Sequence, residues 1–253
     1  MKNIFAPVIL VLILILAACG DSAVNVSHSE HSPSPSILAT PAQMVTAPAD
    51  KANVGEVDNS TRAIAIHPEG RLLVKPVSKA NAASLGAPSC YGLESDLRWT
   101  GDYEVIWEPA SGEAPVKVIK FPPDFEIIQQ NDSPSTMQHF NFEKVDIFAY
   151  VPRYTDCHGL ETYLFGISDQ KVFPISFEIN AGEIWTTISQ LPHHALQAVN
   201  EELIVAGGYG AGQDFINIYH FRYDPKRNIM VNNHTDQVKP KDMDKILKTE
   251  PDK

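Results

Sequence analysis

The segment that decides the fold reads FINIYHFRYDPKRNIMV over residues 215–231. Its first half alternates aromatic and β-branched residues with polar ones, and its centre, Asp224 to Asn228, is rich in turn-forming residues. A second apolar run, Ile229 to Val231, follows directly. Strand-forming residues on both sides of a turn of this composition predict a β-hairpin.

The same strand–turn–strand pattern occurs twice more, over residues 103–121 and 162–179. Residues 142–151 and 203–206 have the composition of further strands. Prolines recur throughout and discourage long helices, so that only Pro192 to Val199 could hold a short one. The sequence therefore predicts an all-β, hairpin-rich single domain of small propeller-like or β-sandwich architecture.

The composition changes twice along the chain and divides it into segments. Residues 62–235 hold all three tryptophans, all eight tyrosines and every phenylalanine except Phe5. Residues 19–61 are rich in Ser, Pro and Ala and lack aromatic residues, which predicts a disordered tether because little surface can be buried there. Residues 236–253 are highly charged and predict a flexible tail, with a short helix near residues 242–248.

The N-terminus has the pattern of an export signal. Met1-Lys2-Asn3 carries one positive charge, and an apolar run extends from Ile4 to Ala18. The run ends in Leu16-Ala17-Ala18-Cys19. This sequence resembles the lipobox of bacterial lipoproteins, which implies that residues 1–18 are a signal peptide and that Cys19 receives a diacylglyceryl thioether. The residue-level alternatives are an ordinary secretory signal with an incidental cysteine, or an uncleaved anchor.

The resemblance also predicts where the protein acts. It implies a cell-envelope protein held on the extracytoplasmic side of a bacterial membrane by lipid on Cys19. The residues after the cysteine, Gly20-Asp21, lack the directly adjacent Asp that commonly retains lipoproteins in the inner membrane of two-membrane bacteria, which permits an outer-membrane destination. The sequence does not distinguish an inner membrane, an outer membrane or a single-membrane host.

The net charge of the chain argues against one class of binding partner. The chain has a formal net charge of −11 and no basic cluster, which argues against nucleic acid because phosphate binding requires clustered Lys and Arg. The expected partners are the membrane, through the lipid on Cys19, and an envelope protein or glycan.

Two cysteines remain after Cys19. An even pair in an exported domain predicts a structural disulfide between Cys90 and Cys157. The cysteines begin two similar segments, Cys90-Tyr91-Gly92-Leu93-Glu94-Ser95 and Cys157-His158-Gly159-Leu160-Glu161-Thr162, which indicate either a duplicated module or a coincidence. The alternative use of Cys157 is a nucleophile pair with His158, but adjacent strand residues point to opposite faces.

A second resemblance lies in residues 191–230. Leu203-Ile204-Val205-Ala206-Gly207-Gly208-Tyr209-Gly210 is followed by Tyr223-Asp224-Pro225. A strand, a paired glycine and a Tyr-Asp-Pro turn resemble one blade of a kelch-type β-propeller, although Ile229-Met230 stand where that pattern usually has tryptophan. The resemblance implies a propeller, and a sandwich or half-open barrel of hairpins fits these residues as well.

Few residues have the spacing of a chemical site. The candidate metal ligands are His158, His193, His194, His220, Asp156 and Asp214. No two of them have helical or zinc-finger spacing, so no metal or cofactor is expected. The glycine-rich run 207–212 lacks the Lys and following helix of a phosphate loop and indicates a tight turn. Four carboxylates near turns are expected to be surface acids: Glu94, Glu161, Asp156 and Asp102. Three aromatic residues belong either to the core or to an exposed binding platform: Tyr91, Tyr209 and Trp107.

These features favour a non-catalytic binding or interaction module of the cell envelope. One alternative is a surface-anchored hydrolase whose active-site residues lie in loops. Another is an accessory protein of envelope assembly.

Overall fold

The computed structural model of the protein describes residues 56–78, 80–86 and 90–243, which belong to one compact unit. The predicted signal peptide, Cys19, most of the tether and nearly all of the predicted tail helix lie outside the described residues. Within the described ranges, no helix has both the length and the apolar character needed to cross a membrane.

The described residues form nineteen strands and one short 3-10 helix. In chain order, the first half contains β1 (Glu56–Asp58), β2 (Ala63–His67), β3 (Gly70–Pro76), β4 (Ala80–Ser84), β5 (Leu97–Gly101), β6 (Tyr103–Pro109), β7 (Val116–Lys120), β8 (Phe125–Gln129), β9 (Ser135–Thr136) and β10 (Gln138–Phe142). The second half contains β11 (Val145–Tyr150), β12 (Leu160–Ser168), β13 (Lys171–Asn180), β14 (Glu183–Trp185), β15 (Ile188–Gln190), β16 (Gln197–Val199), β17 (Glu202–Ala206), β18 (Ile216–Asp224), β19 (Ile229–Val238) and the 3-10 helix Pro240–Asp242.

Two small sheets contain most of the first half of the domain. One has the order β1-β4-β5-β8 and the other the order β7-β6-β3-β2-β9, in which only the β2–β9 pairing is parallel. Their apolar faces share one core with the large sheet, where Trp99, Val105 and Phe165 are almost fully buried. Phe121 and Phe125 stack in this core with ring centroids 4.1 Å apart, so that aromatic packing links the strands that they flank.

The large sheet has the order β10-β11-β12-β13-β19-β18-β17-β16 and is nearly closed and barrel-like. Two hydrogen bonds connect the two edges of this sheet. Gln138 Nε2 donates to the carbonyl oxygen of Leu196 at 3.0 Å, and the Glu143 amide donates to Glu201 Oε2 at 3.0 Å. A second core that includes Phe177, Leu203 and Phe221 packs against the strands of this sheet. The small strands β14 and β15 pair with β13 and β12.

The all-β, hairpin-rich prediction is confirmed, and the three predicted hairpins are β6–β7, β12–β13 and β18–β19. The kelch-like segment forms the meander β16-β17-β18-β19, and β19 then pairs in parallel with β13, so the meander is one half of a larger sheet.

Several local predictions need correction. The segment Pro192–Val199, the one place where the sequence allowed a short helix, instead forms a turn followed by β16, because His193 adopts a φ of 62° and β16 pairs with β17. The predicted strand 142–151 is confirmed as β11 with narrower bounds, because Phe142 ends β10 and the hairpin turn precedes Val145. At the predicted domain limits, β1 begins inside the expected tether at Glu56, and β19 extends past residue 235 to Val238.

Candidate binding cleft

A polar cleft of about 790 Å³ opens where four hairpins meet. Its walls come from the turn between β2 and β3, the β10–β11 hairpin, the β12–β13 turn and the β18–β19 turn. The tight β12–β13 turn is built by Asp169 and Gln170, whose φ values of 51° and 62° match the left-handed conformation that two-residue hairpins require. Hairpin ends therefore bring side chains that are distant in sequence to one surface.

The carboxylate of Asp146 lies at the centre of the polar contacts in this cleft. Oδ1 accepts a hydrogen bond from Asn141 Nδ2 at 3.0 Å and lies 2.6 Å from His139 Nε2. Oδ2 lies 3.2 Å from Nε2 of His67, which belongs to the neighbouring sheet. Asp146 thus joins the large sheet to the five-stranded sheet through side-chain hydrogen bonds.

The environment of Asp146 favours its ionised form. Burial alone would raise the pKa of this carboxyl, but the hydrogen bonds from Asn141, His139 and His67 outweigh burial and hold its pKa below the ordinary value. The cleft consequently presents a fixed negative charge at neutral pH.

The two histidines differ in the groups that their ring nitrogens contact. His67 accepts a hydrogen bond from the Glu69 amide on Nδ1 at 3.2 Å, which leaves the proton on Nε2 to be donated to Asp146. Both nitrogens of His67 are therefore engaged. The ring of His139 stacks on Phe148 with centroids 4.6 Å apart and is about half exposed, so part of the ring is accessible beside the carboxylate that its Nε2 contacts.

The rim of the cleft offers hydrogen-bonding groups of both kinds. Lys144 and Lys171 supply ammonium donors, Asp169 supplies acceptors, and Asn228 accepts a hydrogen bond of 2.8 Å from the Tyr223 hydroxyl. The half-buried ring of Phe173 contributes an aromatic surface. Such a set of groups is suited to a polar ligand with several hydroxyl or amide groups.

This cleft was not among the sites predicted from the sequence. A usable signal existed in part, because His139 and Asn141 alternate with Phe140 and Phe142 before a Glu-Lys turn, which predicts one polar face. The hairpin register then places Asp146 opposite Asn141. Nothing in the local pattern predicts the contribution of His67, which depends on how two sheets pack.

The predicted cysteine pair is brought to disulfide distance. Cys90 and Cys157 have Cα atoms 5.0 Å apart. The two loops that carry them are also joined by Asp96, a carboxylate that is almost fully buried and accepts hydrogen bonds from the Tyr154 hydroxyl and, at 2.7 Å, from the Leu93 amide. Burial together with the hydrogen bond to Asp96 raises the pKa of Tyr154 to about 12.

The alternative of a Cys157–His158 nucleophile pair finds no support in the geometry. Nδ1 of His158 lies 3.0 Å from the carbonyl oxygen of Tyr209, and the Tyr209 amide donates to the His158 carbonyl oxygen at 2.6 Å. The side chain of His158 therefore joins two loops. Its neighbour Cys157 lies against Cys90.

The paired glycine and the second Cys-x-Gly-Leu-Glu segment meet at this point. A Cβ atom on either Gly159 or Gly208 would overlap Ser189 Oγ, and one on Gly208 would also lie 3.0 Å from the His158 carbonyl oxygen. Glycine at these positions permits the close approach of the two loops to β15. This packing gives Gly159 and Gly208 a structural role. The tight turn that the glycine-rich run indicated lies further along, where Gly212 adopts a φ of 84° and the Gln213 amide donates to the Gly210 carbonyl oxygen.

The two similar Cys-x-Gly-Leu-Glu segments have different surroundings. The first segment ends just before β5, whereas the second runs into β12, which begins at Leu160. Leu93 is 60% exposed, however, whereas the corresponding Leu160 is 9% exposed. The sequence similarity is therefore not matched by equivalent packing.

The other candidate residues are dispersed. Tyr91 is exposed and contacts His193 edge to face, Trp107 is buried in the core, and Tyr209 is partly buried. Four other candidates make separate local contacts. Nδ1 of His194 lies near the Pro192 carbonyl oxygen, and Asp156 accepts hydrogen bonds from the amides of His158 and Gly159. Glu161 contacts Tyr163 and Arg153, and Asp102 pairs with Lys120. Among the predicted metal ligands, His220 alone belongs to a group of three metal-ligating side chains in the described part of the chain.

Comparison with known proteins gives no indication of function, so a proposal must rest on the geometry described above. No family model matches the chain, and no curated protein or solved structure matches it.

Proposed function

We propose that the protein is a lipid-anchored binding module of the bacterial cell envelope. In this proposal, the Asp146 cleft binds a polar, hydroxyl-rich ligand of the glycan class. The observation that carries it is the convergence of His67, His139 and Asn141 on one ionised carboxylate at an open cleft.

The glycan class is supported by the chemistry of the cleft. A sugar presents hydroxyl groups that both donate and accept, together with an apolar ring face. The cleft offers a carboxylate, amides and ammonium groups beside the exposed ring of His139, and these groups can satisfy both parts of a sugar. Because Asp146 is already held by three neighbours, its oxygens are fixed before a ligand arrives, which lowers the entropic cost of binding.

The membrane anchor is supported by the sequence Leu16-Ala17-Ala18-Cys19. Acyl chains on Cys19 would contribute about 0.8 kcal/mol per buried methylene, so two or more chains would give stable attachment. A flexible tether of about 40 residues would separate lipid and domain by roughly 35 Å. Such a spacing would let the cleft sample ligands away from the bilayer surface.

A binding role is favoured over catalysis because His67 has both ring nitrogens engaged. One observation favours the hydrolase alternative: His139 Nε2 lies 2.6 Å from Asp146, which is the histidine–carboxylate half of a nucleophilic triad. In the described residues, the side-chain hydrogen bonds of this pair include no Ser, Thr or Cys. Release of product from chromogenic ester or glycoside substrates, abolished by His139→Ala, would support that alternative.

The cleft is tested by calorimetric titration of the full chain in detergent with soluble peptidoglycan fragments and N-acetylglucosamine oligomers. Asp146→Asn removes a charge-assisted hydrogen-bonding group worth about 1.5–3 kcal/mol, so we expect affinity to fall roughly 10- to 150-fold. Asp102→Asn is the matched control, because Asp102 is a surface carboxylate outside the cleft, 3.6 Å from Lys120. Equal affinity for wild type and Asp146→Asn, or no saturable binding to any probe, would contradict the proposal.

The anchor is tested separately by cell fractionation and intact mass. Wild-type protein should sediment with membranes and carry the mass of acyl chains on Cys19, whereas Cys19→Ala should leave the membrane fraction. If Cys19→Ala fractionates like wild type and no acyl mass is found, the anchor proposal is wrong, and the glycan-binding proposal is unaffected.

A further inference from the structure

A second cluster of ionisable side chains lies on β17, β18 and β19. His220 on β18 pairs directly across from His234 on β19, and Asp236 lies two residues further along β19. Because side chains alternate along a strand, His234 and Asp236 point to the same face of the sheet. The three side chains form a group whose ligand atoms all lie within 4.8 Å of one another.

The distances within the group are close to those of a metal site. His220 Nε2 lies 3.2 Å from Asp236 Oδ2, and His234 Nε2 lies 3.9 Å from the same oxygen. Ligands about 2.0–2.2 Å from a tetrahedral zinc ion are separated by roughly 3.3–3.6 Å. The distances from Asp236 to the two imidazoles are therefore within a few tenths of an ångström of those in a zinc site.

The orientation of His220 is the second observation. Its Nε2 is buried and, within the described part of the chain, forms no hydrogen bond, although it faces Asp236. On the opposite side of the ring, Nδ1 lies 3.6 Å from Glu202 Oε2. A carboxylate beside one ring nitrogen and a vacant lone-pair position at the other is the arrangement typical of a metal-bound histidine.

The position of Glu202 is fixed by its neighbours. Its Oε1 accepts hydrogen bonds from Arg222 Nε at 2.9 Å and Asn233 Nδ2 at 3.1 Å, which leaves Oε2 on the side of His220. Glu202 is therefore a positioning residue for the imidazole of His220.

The two ligands on β19 are free to adjust. The rings of His220 and His234 are stacked with centroids 3.9 Å apart, so a shared ion requires the His234 ring to turn away from this stack. The side chains of His234 and Asp236 are 48% and 63% exposed, and movement there costs little packing. Their exposure also leaves the remaining coordination position open to water.

We propose that His220, His234 and Asp236 form a binding site for a divalent transition-metal ion, with Zn²⁺ the best-suited ion. Two imidazoles and one carboxylate match the donor preference of Zn²⁺. Ca²⁺ and Mg²⁺ prefer a shell of oxygen ligands and should bind far more weakly. The site is independent of the glycan proposal, because none of its ligands lines the Asp146 cleft.

The test is equilibrium dialysis of the full chain in detergent against ZnCl₂, with metal content measured by plasma mass spectrometry. The starting protein carries His28→Ala and His31→Ala, which remove the two tether histidines as competing ligands. It should bind one Zn²⁺ per chain with saturation and should not bind Mg²⁺ at equal concentration. His234→Ala and Asp236→Asn should each weaken Zn²⁺ binding tenfold or more, because even loss of an outer-shell partner typically costs 10- to 100-fold.

Matched controls are His193→Ala and Asp214→Asn, which remove an exposed histidine and an exposed aspartate elsewhere in the domain. Both should bind Zn²⁺ as the starting protein does. Because His234 and Asp236 are exposed, their variants should keep the melting temperature measured with a chelator present. Absence of saturable Zn²⁺ binding, or equal affinity in the site variants and the controls, would overturn the proposal.

Discussion

The junction between the two cysteine loops permits a quantitative prediction for Tyr154→Phe. Asp96 is 1% exposed, and its carboxylate accepts hydrogen bonds from the Tyr154 hydroxyl and the Leu93 amide. A hydrogen bond to a charged group contributes about 1.5–3 kcal/mol, and here its loss leaves a buried charge with one fewer donor. We expect Tyr154→Phe to lower the free energy of unfolding by about 1.5–3 kcal/mol.

The same junction sets the expected effect of removing the cysteine pair. A bridge between Cys90 and Cys157 closes a loop with a sequence separation of 67. The chain-entropy relation gives about 4 kcal/mol for a loop of that length. Cys90→Ala combined with Cys157→Ala should therefore destabilise the domain more than Tyr154→Phe does.

The assay is urea unfolding of the full chain in detergent, followed by tryptophan fluorescence. Tyr223→Phe is the control, because its hydroxyl donates to Asn228 in an exposed setting and its loss should cost less than about 1 kcal/mol. Non-reducing peptide mapping of the same sample should join Cys90 to Cys157. The reasoning is refuted if Tyr154→Phe costs no more than Tyr223→Phe, or if mapping finds both cysteines as free thiols.

Two further predictions concern a close backbone contact and the response to acid. Gly208→Ala should destabilise the domain by about 1–3 kcal/mol, because its new Cβ would overlap Ser189 Oγ. Adding Ser189→Ala should recover part of that loss in thermal melts. An unchanged melting temperature in Gly208→Ala would contradict the contact. Asp146 has a pKa lowered by its hydrogen bonds, so its contribution to stability is complete above the unfolded-state value of about 3.9 and is lost as pH falls through the lower folded value. Melting temperatures at pH 6 and pH 3 should therefore differ less for Asp146→Asn than for wild type, and equal differences would argue against a lowered pKa.

Hairpins were the part of the fold most accessible from sequence. The β18–β19 hairpin was identifiable because a turn of Asp, Pro and Asn separates two strand-forming runs, and both are local signals. The β2–β3 hairpin was not identified, although Ala63–His67 and Gly70–Pro76 also flank a short turn containing Pro68. The pairing of β13 with β19 could not be predicted, because parallel pairing between distant segments has no local signature.

The segment Pro192–Val199, where the sequence allowed a short helix, shows how tertiary context decides local structure. His193 and Asn200 take φ values of 62° and 51°, and the intervening strand pairs with β17. The pairing supplies hydrogen bonds that a short isolated helix would have to make alone, and such helices are marginal.

The cysteine pair and the Asp146 cleft differ in how far sequence could predict them. The cysteine pairing followed from an even count in a domain that the sequence predicts to be exported, without knowledge of the fold. The cleft depends on the packing of two sheets, because His67 and Asp146 are 79 residues apart in sequence and 3.2 Å apart in space. Only the β10–β11 part of the cluster had a sequence signal, the alternation of polar and apolar residues before a turn.

The most direct test of the proposed binding function is hydrogen–deuterium exchange of the full chain in detergent, with and without saturating soluble peptidoglycan fragments. Binding at the Asp146 cleft should slow amide exchange in residues 139–146 and 167–171, while exchange in the exposed strand Glu183–Trp185 stays unchanged. Protection confined to segments outside the cleft, or exchange that is identical with and without the fragments, would contradict this function.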